Sequence, residues 1–191
     1  MFIPRHPVVE DQFCSYGAQT ATGSAGIGGV IAYAGSVVYL DSSADNQESI
    51  VFKMTTDQTP FGFLMQKVKT GYHQVHPTGF VMPGDLGSSD AIAQAQYNAS
   101  GNITGTKAVP VGVAHLGIWD TVHYTADAST AILPGDSMVA STDEAKIIKS
   151  GGGTAVNSTV VARVMKGASI AKVTANVANT TLTPIRVKLL V

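Results

Sequence analysis

Charged side chains are scarce in this chain. They make up 13% of its 191 residues, against about a quarter in an ordinary soluble domain. Twelve basic and thirteen acidic residues leave a formal net charge of −1, so no electrostatic footprint for a nucleic-acid backbone or an anionic membrane is present, and neither partner is implied. Cysteine is nearly absent: Cys14 stands alone, which excludes an intrachain disulfide framework and fits a reducing compartment, a disulfide-free virion or a disulfide-free secreted protein. Its expected role is small apolar packing. Trp119 is the one tryptophan and the tyrosines are scattered, so an aromatic platform of the kind a carbohydrate-binding module needs is missing, and the apolar pattern around Trp119 points to core packing.

Long apolar runs are missing too. The best, residues 29–40 and 108–119, are short and interrupted by glycine or proline, too short to cross a bilayer. The start, Met1 to Pro7, lacks the basic stretch and apolar run of an export signal, so a soluble protein is expected. Helical signal is thin: Asp90 to Tyr97 alone has good helix propensity, with Ser88 or Ser89 as cap, and a long hairpin loop or irregular excursion is the competing reading there.

Catalytic constellations are equally sparse. There is no G-x-S-x-G elbow, and Cys14 has no activating base in its sequence neighbourhood. Gly23 to Gly29 superficially resembles a nucleotide loop, yet a β-like run follows it and no Gly-Lys-Ser/Thr lysine is present. His73 and His76 would point to opposite faces of a strand, and His115 and His123 would have to meet across a hairpin to share a metal. The carboxylates Asp41, Asp45, Asp57, Asp85, Asp90, Asp136, Asp143 and Glu144 mostly sit in Ser/Gly/Pro-rich turns, where aspartate bonds its own backbone. The Asp41 to Glu48 cluster lacks the spacing of a helix-loop-helix calcium site. Sequons at Asn98, Asn102, Asn157 and Asn179 are expected by chance in so Ser/Thr-rich a chain. No catalytic residue, cofactor or metal is therefore expected, and the protein reads as a non-enzyme.

What is present is β-structure. Hydrophobic residues reach 45% and glycine numbers 20, the composition of strands joined by tight turns. From Gly29 short runs follow one another, VIAYAG, SVVYLD, ESIVFKMTTD and FGFLMQKVKTG, each closed by glycine, aspartate, proline or a polar cluster. Val109 to Trp119 and Asp120 to Tyr124 read as a strand pair, Leu133-Pro134-Gly135-Asp136 is a turn before a strand, and Ile185, Val187, Leu189 and Val191 alternate with Arg186, Lys188 and Leu190 in a terminal strand. The segment from Gly35 also parallels that from Gly135: a glycine-led turn, a strand, a polar turn, a second strand, a loop and a third strand near lysine and glycine. Either the chain holds two related β-meander halves, about 29–80 and 108–191, or these are the echoes that regular turns produce in any all-β chain. Residues 1–28, with two early prolines and no sustained period, read as an extended N-terminal arm on a single β-barrel-like domain, 29–191.

In the last third, Leu133-Pro134-Gly135-Asp136 entering a strand, the polar turn Ser141-Thr142-Asp143-Glu144, Val160 to Val164 followed by Lys166-Gly167, and the closing strand Ile185 to Val191 resemble the capsid decoration, or cement, proteins of tailed bacteriophages. The resemblance implies an all-β fold, a small β-barrel or β-tulip body, and a homo-oligomer, typically a trimer. It further implies synthesis in the host cytoplasm and a place on the outer capsid surface of the virion, bridging neighbouring major capsid proteins. The arm residues Phe2, Ile3, Pro4, Arg5, His6, Pro7, Val8 and Val9 are the expected partner-binding segment, because an added strand gains backbone hydrogen bonds without any catalytic group. Deleting residues 2–20 is then expected to spare folding and weaken attachment. Another virion component (tail tube, collar or baseplate) and a carbohydrate- or receptor-binding β-module are the alternatives.

Overall fold

The computed structural model describes residues 2–5, 11–20, 29–43, 49–71, 90–125, 130–178 and 180–191. They form an almost all-β protein with one short helix. The strands are β1 (Phe2–Pro4), β2 (Asp11–Tyr16), β3 (Gln19–Thr20), β4 (Val30–Ala32), β5 (Val37–Leu40), β6 (Ile50–Lys53), β7 (Gly62–Leu64) and β8 (Lys67–Gly71). They continue with β9 (Asp90–Tyr97), β10 (Ile103–Thr106), β11 (Val109–Ala114), β12 (Ile118–Thr121), β13 (Ser137–Ala140), β14 (Ile147–Lys149) and β15 (Ala162–Lys166); helix α1 (Ile170–Val177) precedes β16 (Ile185–Leu189).

Alternation puts one face of each strand inward. In β16, Ile185, Val187 and Leu189 are buried while Lys188 is exposed and Arg186 half-buried. Strands β11-β2-β6-β5-β7 close into a barrel, with β2 and β6 parallel. A six-stranded sheet runs β1-β12-β16-β15-β13-β14, and a third sheet runs β3-β10-β9-β8-β4.

The barrel and the six-stranded sheet are built alike. Gly35 N–H donates to Leu64 O (2.7 Å) and Leu64 N–H to Ser36 O (2.9 Å); one hundred residues later Gly135 N–H donates to Val164 O (2.8 Å) and Val164 N–H to Asp136 O (3.0 Å). Phe61 N–H to Val38 O and Val161 N–H to Met138 O, both 2.8 Å, complete the match. The second strands pair in kind, Leu40 with Val51 and Ala140 with Ile147. Even the parallel closure repeats: Tyr16 lies opposite Val51, and Tyr124, just past β12, bridges in parallel to Ile147. Followed from β2, the barrel order β2-β11-β7-β5-β6 is thus matched by β12-β16-β15-β13-β14 in the second sheet, which the single Tyr124–Ile147 bridge curls towards closure. Tyr16 and Tyr124 hold matching places, both buried, and burial pushes each phenol up to about 12.

Both units open on the same turn. Ser36 N–H donates to Tyr33 O and Asp136 N–H to Leu133 O, each at 3.1 Å, with Gly35 at φ +93° and Gly135 at φ +91°. A turn with positive φ at its third position is the type II pattern, which selects glycine.

The unit boundaries differ from the halves expected at 29–80 and 108–191. The first barrel takes β2 from inside the expected arm and β11 from inside the expected second half. The arm reading of residues 1–28 is corrected for the residues described: Phe2 to Pro4 pair antiparallel with Thr121 to Trp119, and β2 pairs along its whole length with β11. Two prolines and a weak period concealed strands whose partners lie a hundred residues away. Val109–Trp119 and Asp120–Tyr124 do not form a hairpin either. β11 closes the first barrel and β12 opens the second sheet, with Gly117 (φ +107°) in the link.

Asp90–Tyr97, read from sequence as a helix or an irregular loop, is the strand β9. It pairs in parallel with β8 and antiparallel with β10, burying Ala93 and Ala95; two flanking ladders override an alanine-based propensity. The helix lies instead at Ile170–Val177, where Val173 enters the core and Asn176 Nδ2 donates to Val122 O and Tyr124 O, both at 3.1 Å.

Two apolar clusters fill the molecule. Cys14, Tyr16, Val38, Val51, Leu64 and Val113 lie in the first barrel's cluster. Their strand neighbours Val37, Phe63 and Ala114 face the other way and join Trp119, Tyr124, Ile147, Val164, Val187 and Leu189 in the second cluster. Alternation along β5, β7 and β11 therefore welds the two units together.

Candidate functional site

The expected partner-binding segment divides. Phe2 is buried in this chain's own core, stacked on Trp119 (ring centroids 4.3 Å apart) and on Phe63 (5.7 Å). Ile3 is half-buried in the β1–β12 pair. Arg5 is exposed; its N–H donates to Ile118 O (2.7 Å) and its Nε to Asp120 Oδ2 (2.7 Å). Pro4 lies in β1, and His6, Pro7, Val8 and Val9 lie outside the described residues. The segment is thus, over residues 2–5, an edge strand of the second sheet.

Asp120 is the anchor of that edge. Arg186 grips it from the opposite side, Nε to Oδ1 at 2.8 Å and Nη2 to Oδ2 at 3.2 Å. The hydrogen bonds from Arg186, and then from Arg5, hold this carboxyl below its usual range against the opposing effect of burial. One carboxylate so ties β1, β12 and β16 together; the pairing is charge-assisted.

A second polar cluster lies where the units meet. Ser36 Oγ, His123 Nε2 and the Glu144 carbonyl oxygen form a triangle with sides of 3.0 Å. A carbonyl only accepts, so Nε2 must carry the imidazole proton and Ser36 Oγ–H must point at the same oxygen. With Nε2 protonated, this histidine is not placed to take the Ser36 proton, and Ser36 is fully buried. The arrangement works as a pin between the barrel and the six-stranded sheet. Desolvation lowers the His123 pKa to about 4, with Lys146 adding to the shift and the Glu144 carbonyl opposing it. The Tyr33 ring lies 5.3 Å from the imidazole.

Glu144 and Ala145, the centre of the β13–β14 turn, have φ of +51° and +52°. Two consecutive left-handed non-glycine residues cost on the order of 1 kcal/mol each or more. The contacts across the joint hold them there. Ala145 O accepts from Val37 N–H (2.8 Å), Glu144 O accepts from Ser36 and His123, and Glu144 Oε2 meets Lys53 Nζ at 2.6 Å.

The other candidates fall apart in space. His115 packs on Phe61 (ring centroids 4.6 Å apart), and its Nε2 is buried without a hydrogen-bond partner. His73, His76 and residues 21–28 of the glycine-rich segment lie outside the described residues, as do Asp45 to Glu48. No group of three or more metal-ligating side chains occurs among the described residues. Cys14 is buried, which raises its thiol pKa. Turn chemistry accounts for Asp41, which accepts from Ser43 N–H and Oγ, for Asp136, which accepts from Leu133 N–H (2.8 Å), and for Asn98, which accepts from Ser100 and Asn102 N–H. Asp120, Ser36 and the Glu144-Ala145 turn were not singled out as a site from sequence; the one signal was the parallel between the Gly35 and Gly135 turns. No family model, curated protein or solved structure matches the chain.

Proposed function

We propose that this protein is a non-enzymatic virion structural protein that decorates and stabilises a bacteriophage capsid from its outer surface, bridging neighbouring major capsid proteins as a homo-oligomer, a trimer being favoured. The observation that carries the reading is the duplication. One chain holding two like β-units offers the same kind of surface twice, which suits a partner lattice that repeats itself. The low charge supports it, since a surface covered by neighbours has little need of solvated charge. So does the pattern resemblance of the last third to decoration proteins. The polar clusters described above, Asp120 with two arginines and Ser36 with His123, are consumed in joining strands and units.

The test is addition of the purified protein to capsids of the encoding phage assembled without it. Saturable binding and a raised capsid melting temperature are expected. A stable monomer with no affinity for those capsids would sink the reading, and a hydrolytic activity would replace it.

A further inference from the structure

Charge that balances over the whole chain does not balance in space. In the six-stranded sheet Trp119, Val164, Val187 and Leu189 lie in the core, so the residues alternating with them face outward. Register sets those outward residues in two rows. One runs Ile118, Lys188, Arg163 and Ser137 across β12, β16, β15 and β13; the next runs Ile3, Asp120, Arg186 and Lys166 across β1, β12, β16 and β15. A bulge between Val164 and Lys166 puts Lys166 in the second row. Arg5 joins them from the end of β1, where it meets Asp120 at 2.7 Å. Five of the chain's twelve basic residues thus share one sheet face, and Asp120 is the one carboxylate in its rows.

That face is not neutralised from within. Asp120 is shared between Arg5 and Arg186, and Asp136, beside Ser137, is held by Lys149 at 3.0 Å. Arg163 gives one N–H to Gly135 O (3.2 Å) and keeps the rest of its donors. Lys166 and Lys188 are exposed and pair with no carboxylate among the described residues. Like charges directly opposite one another weaken a sheet. Here two such pairs stand side by side, Arg163 opposite Lys188 and Lys166 opposite Arg186. An anionic partner laid over them relieves both at once.

The side chains around these cations are aliphatic. Ile3 and Ile118 are half-buried in the same rows, Met165 at the bulge is 48% exposed, and Leu190, just past β16, is 43% exposed. Neither row holds an aromatic ring, so the bases of a single-stranded nucleic acid would find nothing to stack on. Basic and aliphatic groups side by side complement a protein surface whose carboxylates stand among apolar groups. We propose that the outer face of β12, β16 and β15 docks the acidic surface of a partner protein, with Arg163, Lys166 and Lys188 meeting its carboxylates. This inference stands apart from the capsid reading, and its test uses no capsid.

The probe is a fluorescein-labelled random copolymer of glutamate and tyrosine, an acidic polypeptide with apolar side chains, titrated with the full chain and read by fluorescence anisotropy. Wild type is expected to bind it, less tightly as salt rises, and to prefer it to duplex DNA of equal charge. The double variant Lys166→Glu/Lys188→Glu should bind about tenfold more weakly or worse, and Lys166→Gln/Lys188→Gln should fall between it and wild type. Lys107→Glu, at an exposed lysine between β10 and β11, should bind as wild type does. Because the reversal removes two like-charge oppositions, the Tm of the free protein should stay level or rise. Wild type that ignores the copolymer or prefers the DNA overturns the proposal. So does a double variant that binds normally, a Lys107→Glu variant weakened as much, or a Tm that falls in both double variants, which would assign the lysines to the fold.

Discussion

Acid should loosen the joint between the two units through His123, and His123→Gln should remove that sensitivity. The imidazole is buried and neutral, with a pKa lowered to about 4 from an ordinary 6.5, chiefly by desolvation. Between those values the unfolded chain binds a proton that the folded chain refuses, so falling pH favours unfolding. The stabilisation is complete above about pH 6.5, is lost as pH falls towards 4, and is gone below that; its size is about 3 kcal/mol. Desolvation outweighs the help that the Glu144 carbonyl and carboxylate give an imidazolium, and Lys146 opposes it further. A glutamine amide can still donate to the Glu144 carbonyl but does not titrate, so at pH 7 the variant should lose about 1–2 kcal/mol. Between pH 7 and pH 4 the wild type should lose about 3 kcal/mol more than the variant does; carboxylates common to both cancel in that difference. Urea unfolding followed by fluorescence of Trp119, buried and stacked on Phe2, measures both. Parallel stability curves from pH 7 to pH 4 would refute the buried, neutral pin.

Phe2→Ala should cost about 3–5 kcal/mol, because the ring is buried between Trp119 and Phe63; a loss under about 1 kcal/mol in urea unfolding would place it outside the core. Deleting residues 2–20 removes β1, β2 and β3 and opens the first barrel, so circular dichroism should show loss of folding, the reverse of what an attached arm would give. The two equivalent glycines should respond unequally to alanine. Gly135→Ala meets open space and should cost about 1 kcal/mol for its positive φ alone. Gly35→Ala also pushes on Thr121 and His123 and should cost clearly more; equal shifts in Tm would argue against a tight joint.

Local chemistry carries the strands and turns. The alternation of Ile185, Val187 and Leu189 with basic residues needs only a period of two, and the Tyr33–Ser36 and Leu133–Asp136 turns need only a glycine that accepts positive φ. These local features, together with the scarcity of charge and of cysteine, sufficed for an all-β chain and for the likeness of its two glycine-led segments. Partner choice was not legible, because a ladder forms between strands that are remote along the chain and neighbours along it need not pair. β11 and β12 are nearly contiguous and belong to different units, while β2 finds β11 and β6, and β1 finds β12. The same holds for β9, whose alanines favour a helix until β8 and β10 supply hydrogen bonds on both edges. The polar joint depends on this most of all. Ser36, His123 and Glu144 are unremarkable where they stand in the sequence, and only the packing of one unit's opening turn on the other's corner gives them a shared oxygen, a lowered pKa and a role.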